Sequence, residues 1–246
     1  MTPFIALLPL LGAATLLLTG KRWHGRSAGW LASFLVGVSF VLSLALLFQL
    51  LGRDARVRLM TTTVWSWISA GRFHVDVAFR ADPLSVVMAL TVTGVATMIH
   101  IYAIDYMEGD PGFSRFFGYM NLFVFFMLVL VLANNFLLLY LGWEGVGLCS
   151  YLLIGFWFER KTAADAAKKA FITTRIGDAA FFIGIVLIWA HFHSLDFDVV
   201  FKGAGGLANS TATVMALLLF AGAVGKSAQL PLHVWLPDAM EGPTPV

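Results

Sequence analysis

Four ionisable residues stand where the sequence is otherwise apolar: Glu144, Arg175, Asp178 and Lys226. In a hydrocarbon environment each costs about 2.5–3.5 kcal/mol on insertion scales. Charges that expensive must pair, face a water-filled cavity, or both, and proton or ion transfer is the chemistry such groups perform. Arg175 and Asp178 are spaced i,i+3, so they share a helix face and can pair. Glu144 has no opposite charge on its own segment, which makes Lys226 its expected partner. Seven residues after Lys226 comes His233, whose imidazole can relay a proton near neutral pH. Each feature also has a bland reading. Glu144 can be a structural acid, Lys226 can snorkel to an interface, Arg175–Asp178 can be a purely structural pair, and His233 an interfacial polar residue.

The elements that position these residues are apolar runs of about 20 residues. Spans are predicted over 3–19, 28–51, 83–107, 116–133, 135–157, 169–191 and 209–236. At 1.5 Å per residue, Glu144 lies about 14 Å from one face and Asp178 about 14 Å from the other. Both are therefore placed near the midplane of a core about 30 Å thick. The seventh segment is interrupted. Pro231 and Pro237 cannot donate backbone hydrogen bonds, and Gly222 and Gly225 loosen the helix just upstream. Broken helices beside buried ions recur in transporters.

The composition agrees. Among 246 residues, 59% are hydrophobic and 12% charged, about half the charge of an ordinary soluble domain. That balance excludes a soluble enzyme, a disordered tail and a nucleic-acid-binding domain, the net charge being only +2. The bilayer is the expected partner and solvent. With the N-terminus outside, the inner loops 20–27, 108–115 and 158–169 hold Lys21, Arg22, Arg26, Arg115, Arg160, Lys161, Lys168 and Lys169. The two short outer loops hold only Lys202, and the long one, 52–82, counts less despite its five arginines. Within that loop 57–68 and 73–79 alternate in part around Ala70-Gly71, which predicts a hairpin on the membrane surface.

Other chemistries are excluded. The single cysteine, Cys149, permits neither an internal disulfide nor a CxxC pair, and reads as a small packing residue. His100, His191 and His193 lie near segment ends and are not placed as facing haem ligands. Gly225-Lys226-Ser227 mimics the end of a P-loop, but position 220 is Phe220 and no strand precedes it. Gly142, Gly145 and Gly147 have the wrong order for a dinucleotide fingerprint and are expected to let helices approach closely around Glu144.

Longer motifs surround these residues. The run from Leu141 to Phe156, LGWEGVGLCSYLLIGF, resembles the fifth-helix signature of the large antiporter-like L subunits of respiratory complex I, the proton-pumping NADH:quinone oxidoreductase. Lys168-Lys169-Ala170-Phe171, Arg175-Ile176-Gly177-Asp178 and Gly225-Lys226-Ser227-Ala228-Gln229-Leu230-Pro231-Leu232 are similar too, as are Asp82-Pro83-Leu84-Ser85 and the stretch WLPDAMEGPTPV from Trp235 to Val246. The Mrp-type sodium/proton antiporter subunit shares much of this pattern.

The resemblance implies an all-α polytopic membrane protein of antiporter-like inverted-repeat fold, with a discontinuous seventh helix. In that family helices four to eight and nine to thirteen form the repeats and a lateral helix trails them. It implies Glu144 as the coupling glutamate, Lys226 as the proton-handling lysine, and Arg175 with Asp178 as the modulating ion pair; His233 is carried over weakly. No cofactor is expected on this chain. NADH, FMN, iron–sulfur clusters and quinone are expected in partner subunits, and the neighbours are other membrane subunits of complex I, above all another antiporter-like subunit. The implied location is an energy-transducing membrane, the bacterial inner membrane. The family's subunit is far longer, so the chain is expected to be a partial sequence, its repeat truncated, that does not conduct protons alone.

The mechanism expected from these residues is a charge switch. Lys226 close to Glu144 favours both charged forms; when the pair opens, an unpartnered ammonium in low dielectric favours releasing its proton. The first rival is a sodium/proton antiporter, active without NADH. The second is a scaffold, in which neutralising Glu144 or Lys226 affects assembly alone.

Overall fold

A computed structural model of the protein describes residues 1–23, 26–54 and 57–245, without the side chain of Lys21. The outer-loop Arg56, the terminal Val246 of the last motif and the charge of Lys21 thus lie outside the described residues.

Helix α1 runs Thr2–Thr19 and α2 Ser27–Leu51. Strands β1, Met60–Ala70, and β2, Phe73–Ala81, form an antiparallel hairpin. Then come α3 (Pro83–Tyr106), α4 (Phe113–Leu132), α5 (Phe136–Ile154) and α6 (Lys161–Phe192). The short α7 (Phe197–Gly203) leads to α8 (Asn209–Lys226), and a 3-10 turn, Asp238–Glu241, lies near the end. The helices α1 to α6 are long and apolar enough to cross a membrane.

Several ends differ from the sequence expectation for physical reasons. Helix α6 starts at Lys161, eight residues ahead of the apolar window that begins at 169. The alanines between Lys161 and Lys169 are strong helix formers, so the helix continues through the charged turn. Helix α5 stops at Ile154 because Gly155 follows, and does not reach 157. The expected span 209–236 is helical only to Lys226, after which 227–237 runs as turns. That end is a Schellman arrangement: Gln229 N–H donates to Val224 at 3.0 Å and Ala228 N–H to Gly225 at 3.4 Å. Ala228 occupies the left-handed position at φ 49°. The Trp235 indole N–H donates to the same Gly225 carbonyl at 3.1 Å.

The hairpin turns at Gly71, φ 59°, at the first central position that a type II′ turn reserves for glycine. Its β2 strand buries Val75, Val77, Ala78, Phe79 and Ala81. The linker between α4 and α5 lies alongside. Phe79 bridges Ala133, Asn134 N–H donates to Ala78 at 3.0 Å, and Asn135 pairs on its other side with Asp196. Fully buried Asn135 caps α5 through Leu138 N–H at 2.8 Å and donates to Asp76 carbonyl at 2.9 Å. The hairpin therefore clips the ends of α4, α5 and α6 together, which fixes how deep Glu144 and Asp178 sit.

Candidate functional site

Helices α5, α6 and α8 meet along small residues. A Cβ at Gly177 would lie 2.7 Å from the carbonyl oxygen of Ala221, so α6 and α8 touch backbone to backbone. A Cβ at Gly142 would lie 2.6 Å from Leu130 N, which does the same for α5 and α4. Gly147 serves a different purpose. A Cβ there would fall 2.5 Å from Lys226 Nζ and 3.4 Å from an Arg175 Nη. Its missing side chain makes room for two cation tips.

Those tips belong to a row of four charges. Glu144 on α5 is ion-paired with Arg175 on α6. Arg175 Nη1 is 3.6 Å from Asp178 Oδ2, and Lys226 Nζ on α8 is 3.7 Å from the same oxygen. Asp178 is 1% exposed. The signs alternate along the row and sum to zero, as burial in a low dielectric demands. The structure brings together the four residues of the sequence reading and keeps the expected i,i+3 pair of Arg175 with Asp178, but pairs Glu144 and Lys226 otherwise than expected. Among the described residues Glu144 forms no ion pair with Lys226. The arginine stands between them because its longer side chain reaches across to α5, while Lys226 faces Asp178.

Trp143 completes the site and was not singled out from sequence. Its indole N–H donates to Asp178 Oδ1 at 2.5 Å, and its ring lies 6.0 Å below Lys226 Nζ. Its place beside Glu144 was the available signal, but an aromatic in a membrane helix looks like packing. The guanidinium of Arg175 stacks on Phe171 at 4.3 Å. Glu144 Oε1, Arg175 Nε and Asp178 Oδ2 are buried without a hydrogen bond. These unspent donors and acceptors are what a re-pairing or hydrated network requires.

His233 is not part of the row. It is exposed on the turns after α8, and no hydrogen bond or ion pair joins its side chain to the four charges among the described residues. Cys149 is fully buried in α5, in keeping with packing.

Comparison with known proteins places this geometry. Residues 133–246 match the family model described as the transmembrane region of NADH:quinone oxidoreductase and Mrp antiporters. Residues 67–117 match the N-terminal region of NADH-ubiquinone oxidoreductase (complex I) chain 5. NADH-quinone oxidoreductase subunit L of Mycobacterium tuberculosis is 47% identical over 248 residues, covering 100% of this chain and 38% of the relative. NADH-ubiquinone oxidoreductase chain 5 of Metridium senile is 43% identical over 240 residues, covering 97% and 39%. The chain thus spans about two fifths of the length of these relatives. Among solved structures, the Mrp complex from Dietzia sp. aligns with a TM-score of 0.84 at 25% identity, covering 99% of this chain and 25% of that one. An archaeal membrane-bound sulfane sulfur reductase shares the fold at TM-score 0.83 and 15% identity, covering 99% and 48%. From the whole-length match and the apolar helices together, this is a multi-pass membrane chain, and it belongs to the NADH:quinone oxidoreductase subunit L/chain 5 family of antiporter-like membrane subunits.

Proposed function

We propose that the chain forms part of a proton-translocating membrane subunit of NADH:quinone oxidoreductase, driven by quinone reduction elsewhere in the complex. The observation that supports this best is Asp178, buried and shared between Arg175 at 3.6 Å and Lys226 at 3.7 Å. A shared acid lets pairing shift along the row. Protonating Glu144 releases Arg175 toward Asp178. Asp178 then holds Lys226 less strongly, and an ammonium left in low dielectric gives up its proton to water. Re-ionisation of Glu144 then draws Arg175 back, and Lys226, beside an Asp178 that is again free to hold it, takes up a proton from water, which restores the starting pairs. The direct Glu144–Lys226 switch expected from sequence becomes a three-step exchange with Arg175 and Asp178 as its middle members.

The partners of this reading are other membrane subunits of the complex, another antiporter-like subunit among them. NADH, FMN, iron–sulfur clusters and quinone belong to those partners, and the site is an inner, energy-transducing membrane with the N-terminus outside. The likeness to the Mrp complex favours a second reading, sodium/proton exchange by the same row.

The test introduces Glu144→Gln into the full-length subunit in its native membrane. NADH-driven proton uptake into inverted vesicles is followed, with assembly checked alongside. Uptake that collapses in an assembled complex supports the relay and removes the scaffold alternative. Unchanged uptake and NADH oxidation refute it, and sodium-dependent exchange without NADH would establish the Mrp-type reading.

A further inference from the structure

The two carboxylate oxygens of Asp178 are used differently. Oδ1 accepts the Trp143 indole N–H at 2.5 Å. Oδ2 lies 3.6 Å from Arg175 Nη1 and 3.7 Å from Lys226 Nζ, and it is buried without a hydrogen bond. Two cations therefore face one oxygen, and neither has closed on it. An ionised carboxylate ordinarily offers both oxygens, so it can hold an arginine on one and a lysine on the other. Here the indole takes one of them away.

Packing keeps the indole in that position. Trp143 belongs to α5, and its ring crosses to α6, where it meets Phe181 at 4.9 Å between centroids. Phe181 is buried and stands one turn beyond Asp178. Tyr140, one turn before Trp143, packs on the same Phe181 ring at 5.8 Å. Helix α8 closes in as well, since a Cβ at Gly222 would lie 2.9 Å from the Phe181 Cβ. An indole wedged in this way cannot leave Asp178 without moving Phe181. Lys226 Nζ lies 6.0 Å from the centre of the same Trp143 ring. Trp143 thus touches both the acid and one of the two cations that compete for it. An indole N–H donates only and carries no exchangeable charge, so its contribution is one of position.

We propose that Trp143 is a positioning residue that leaves Asp178 a single free oxygen, so that Arg175 and Lys226 hold it in alternation. The proposal rests on the proton-relay reading and supplies the link in its middle step. When Arg175 closes on Oδ2, the lysine has no second oxygen to move to and is left without an acid. With Oδ1 free, Asp178 would hold both cations at once. Lys226 would then keep its partner, and its proton, whatever the state of Glu144.

Two substitutions separate the N–H from the ring. Trp143→Phe keeps an aromatic ring against Phe181 and Lys226 and removes the donor. Trp143→Gln removes the ring and keeps an N–H the same number of bonds from the Cα, Nε2 in place of Nε1. Each is placed in the full-length subunit in its native membrane beside Glu144→Gln, and NADH-driven proton uptake into inverted vesicles is measured per assembled complex. Trp143→Phe is expected to lose uptake to the level left by Glu144→Gln, and Trp143→Gln to recover most of it. A role in packing alone gives the reverse order. Normal uptake in Trp143→Phe, or a Trp143→Gln no better than Trp143→Phe, overturns the proposal. Normal uptake in Glu144→Gln removes the relay and this proposal with it, whereas collapse in Glu144→Gln beside normal uptake in Trp143→Phe defeats only the role given to Trp143.

Discussion

A glycine in this molecule can be a helix contact or a charge pocket, and the same substitution separates the two. Gly142→Ala drives a Cβ into the backbone of Leu130, which cannot yield, so it is expected to destabilise the α4–α5 contact by about 1–3 kcal/mol. Gly147→Ala meets only side-chain ends, the flexible tip of Lys226 and an Nη of Arg175. It is expected to leave thermal stability of the full-length subunit nearly unchanged while slowing proton uptake; normal uptake in a stable variant would deny Gly147 that role. Asp178→Asn removes the acid shared by Arg175 and Lys226 and is expected to abolish uptake in assembled complex, a result that retained uptake would contradict. The identity of the four charged residues was legible from sequence because charge in hydrocarbon is expensive. The Arg175–Asp178 pair was legible too, from its i,i+3 spacing. The pairs between helices were not, because they depend on how each helix is rotated and how far Arg175 reaches, neither of which residue spacing encodes. Trp143 stayed hidden for a similar reason, since its packing and its hydrogen bond to Asp178 look alike in a sequence.

Helix ends were legible where a side chain makes them. Asp82 and Ser85 form a reciprocal capping box at α3, with hydrogen bonds of 2.8 Å in each direction. Burial pushes the Asp82 carboxyl up, but the Ser85 backbone N–H, the Arg80 guanidinium and the Ser85 hydroxyl outweigh it and hold it below the usual range. A lowered acid stabilises the fold above its unfolded pKa and loses that contribution as pH falls through the folded one. The α3 cap should therefore be indifferent to pH between neutral and about pH 5 and weaken only in stronger acid. Asp82→Ala is expected to cost about 1 kcal/mol at neutral pH, read from thermal unfolding. Asp196 behaves oppositely. Burial, then Asp76 and Asp198, push its carboxyl up against the opposing pull of His74. Its folded state is favoured by protonation, and that gain disappears as pH rises through the folded value. Helix ends set by backbone shape were not legible. The end of α8 rests on Ala228 at φ 49°, a position glycine would occupy without strain. Ala228→Gly is expected to stabilise that end by about 1 kcal/mol, slowing amide exchange at Gln229; faster exchange would disprove it.

Across the whole molecule, the six spans α1 to α6 and the hairpin followed from hydropathy and alternation, whereas the short α7, the early end of α8 and the clip between β2, the α4–α5 linker and Asp196 did not, the clip because it needs three distant segments in one place. Orientation is open to direct measurement. Cys149 is fully buried and leaves the background silent. In intact cells an impermeant maleimide is expected to label Arg72→Cys on the hairpin turn and to miss Asp165→Cys near the start of α6; the reverse pattern would invert the proposed topology. One property of the charge row reaches further. Arg175 and Asp178 are one turn apart on α6, and the tip of Lys226 lies beside Gly147, one turn from Glu144 on α5, so the row steps along the helices by about a turn at a time. A charge crossing the whole bilayer does electrical work of about 2.3 kcal/mol per 100 mV. A shift running sideways through this row crosses little of that field. Membrane voltage should then act on the steps that fill and empty the row, and leave the exchange inside it almost untouched.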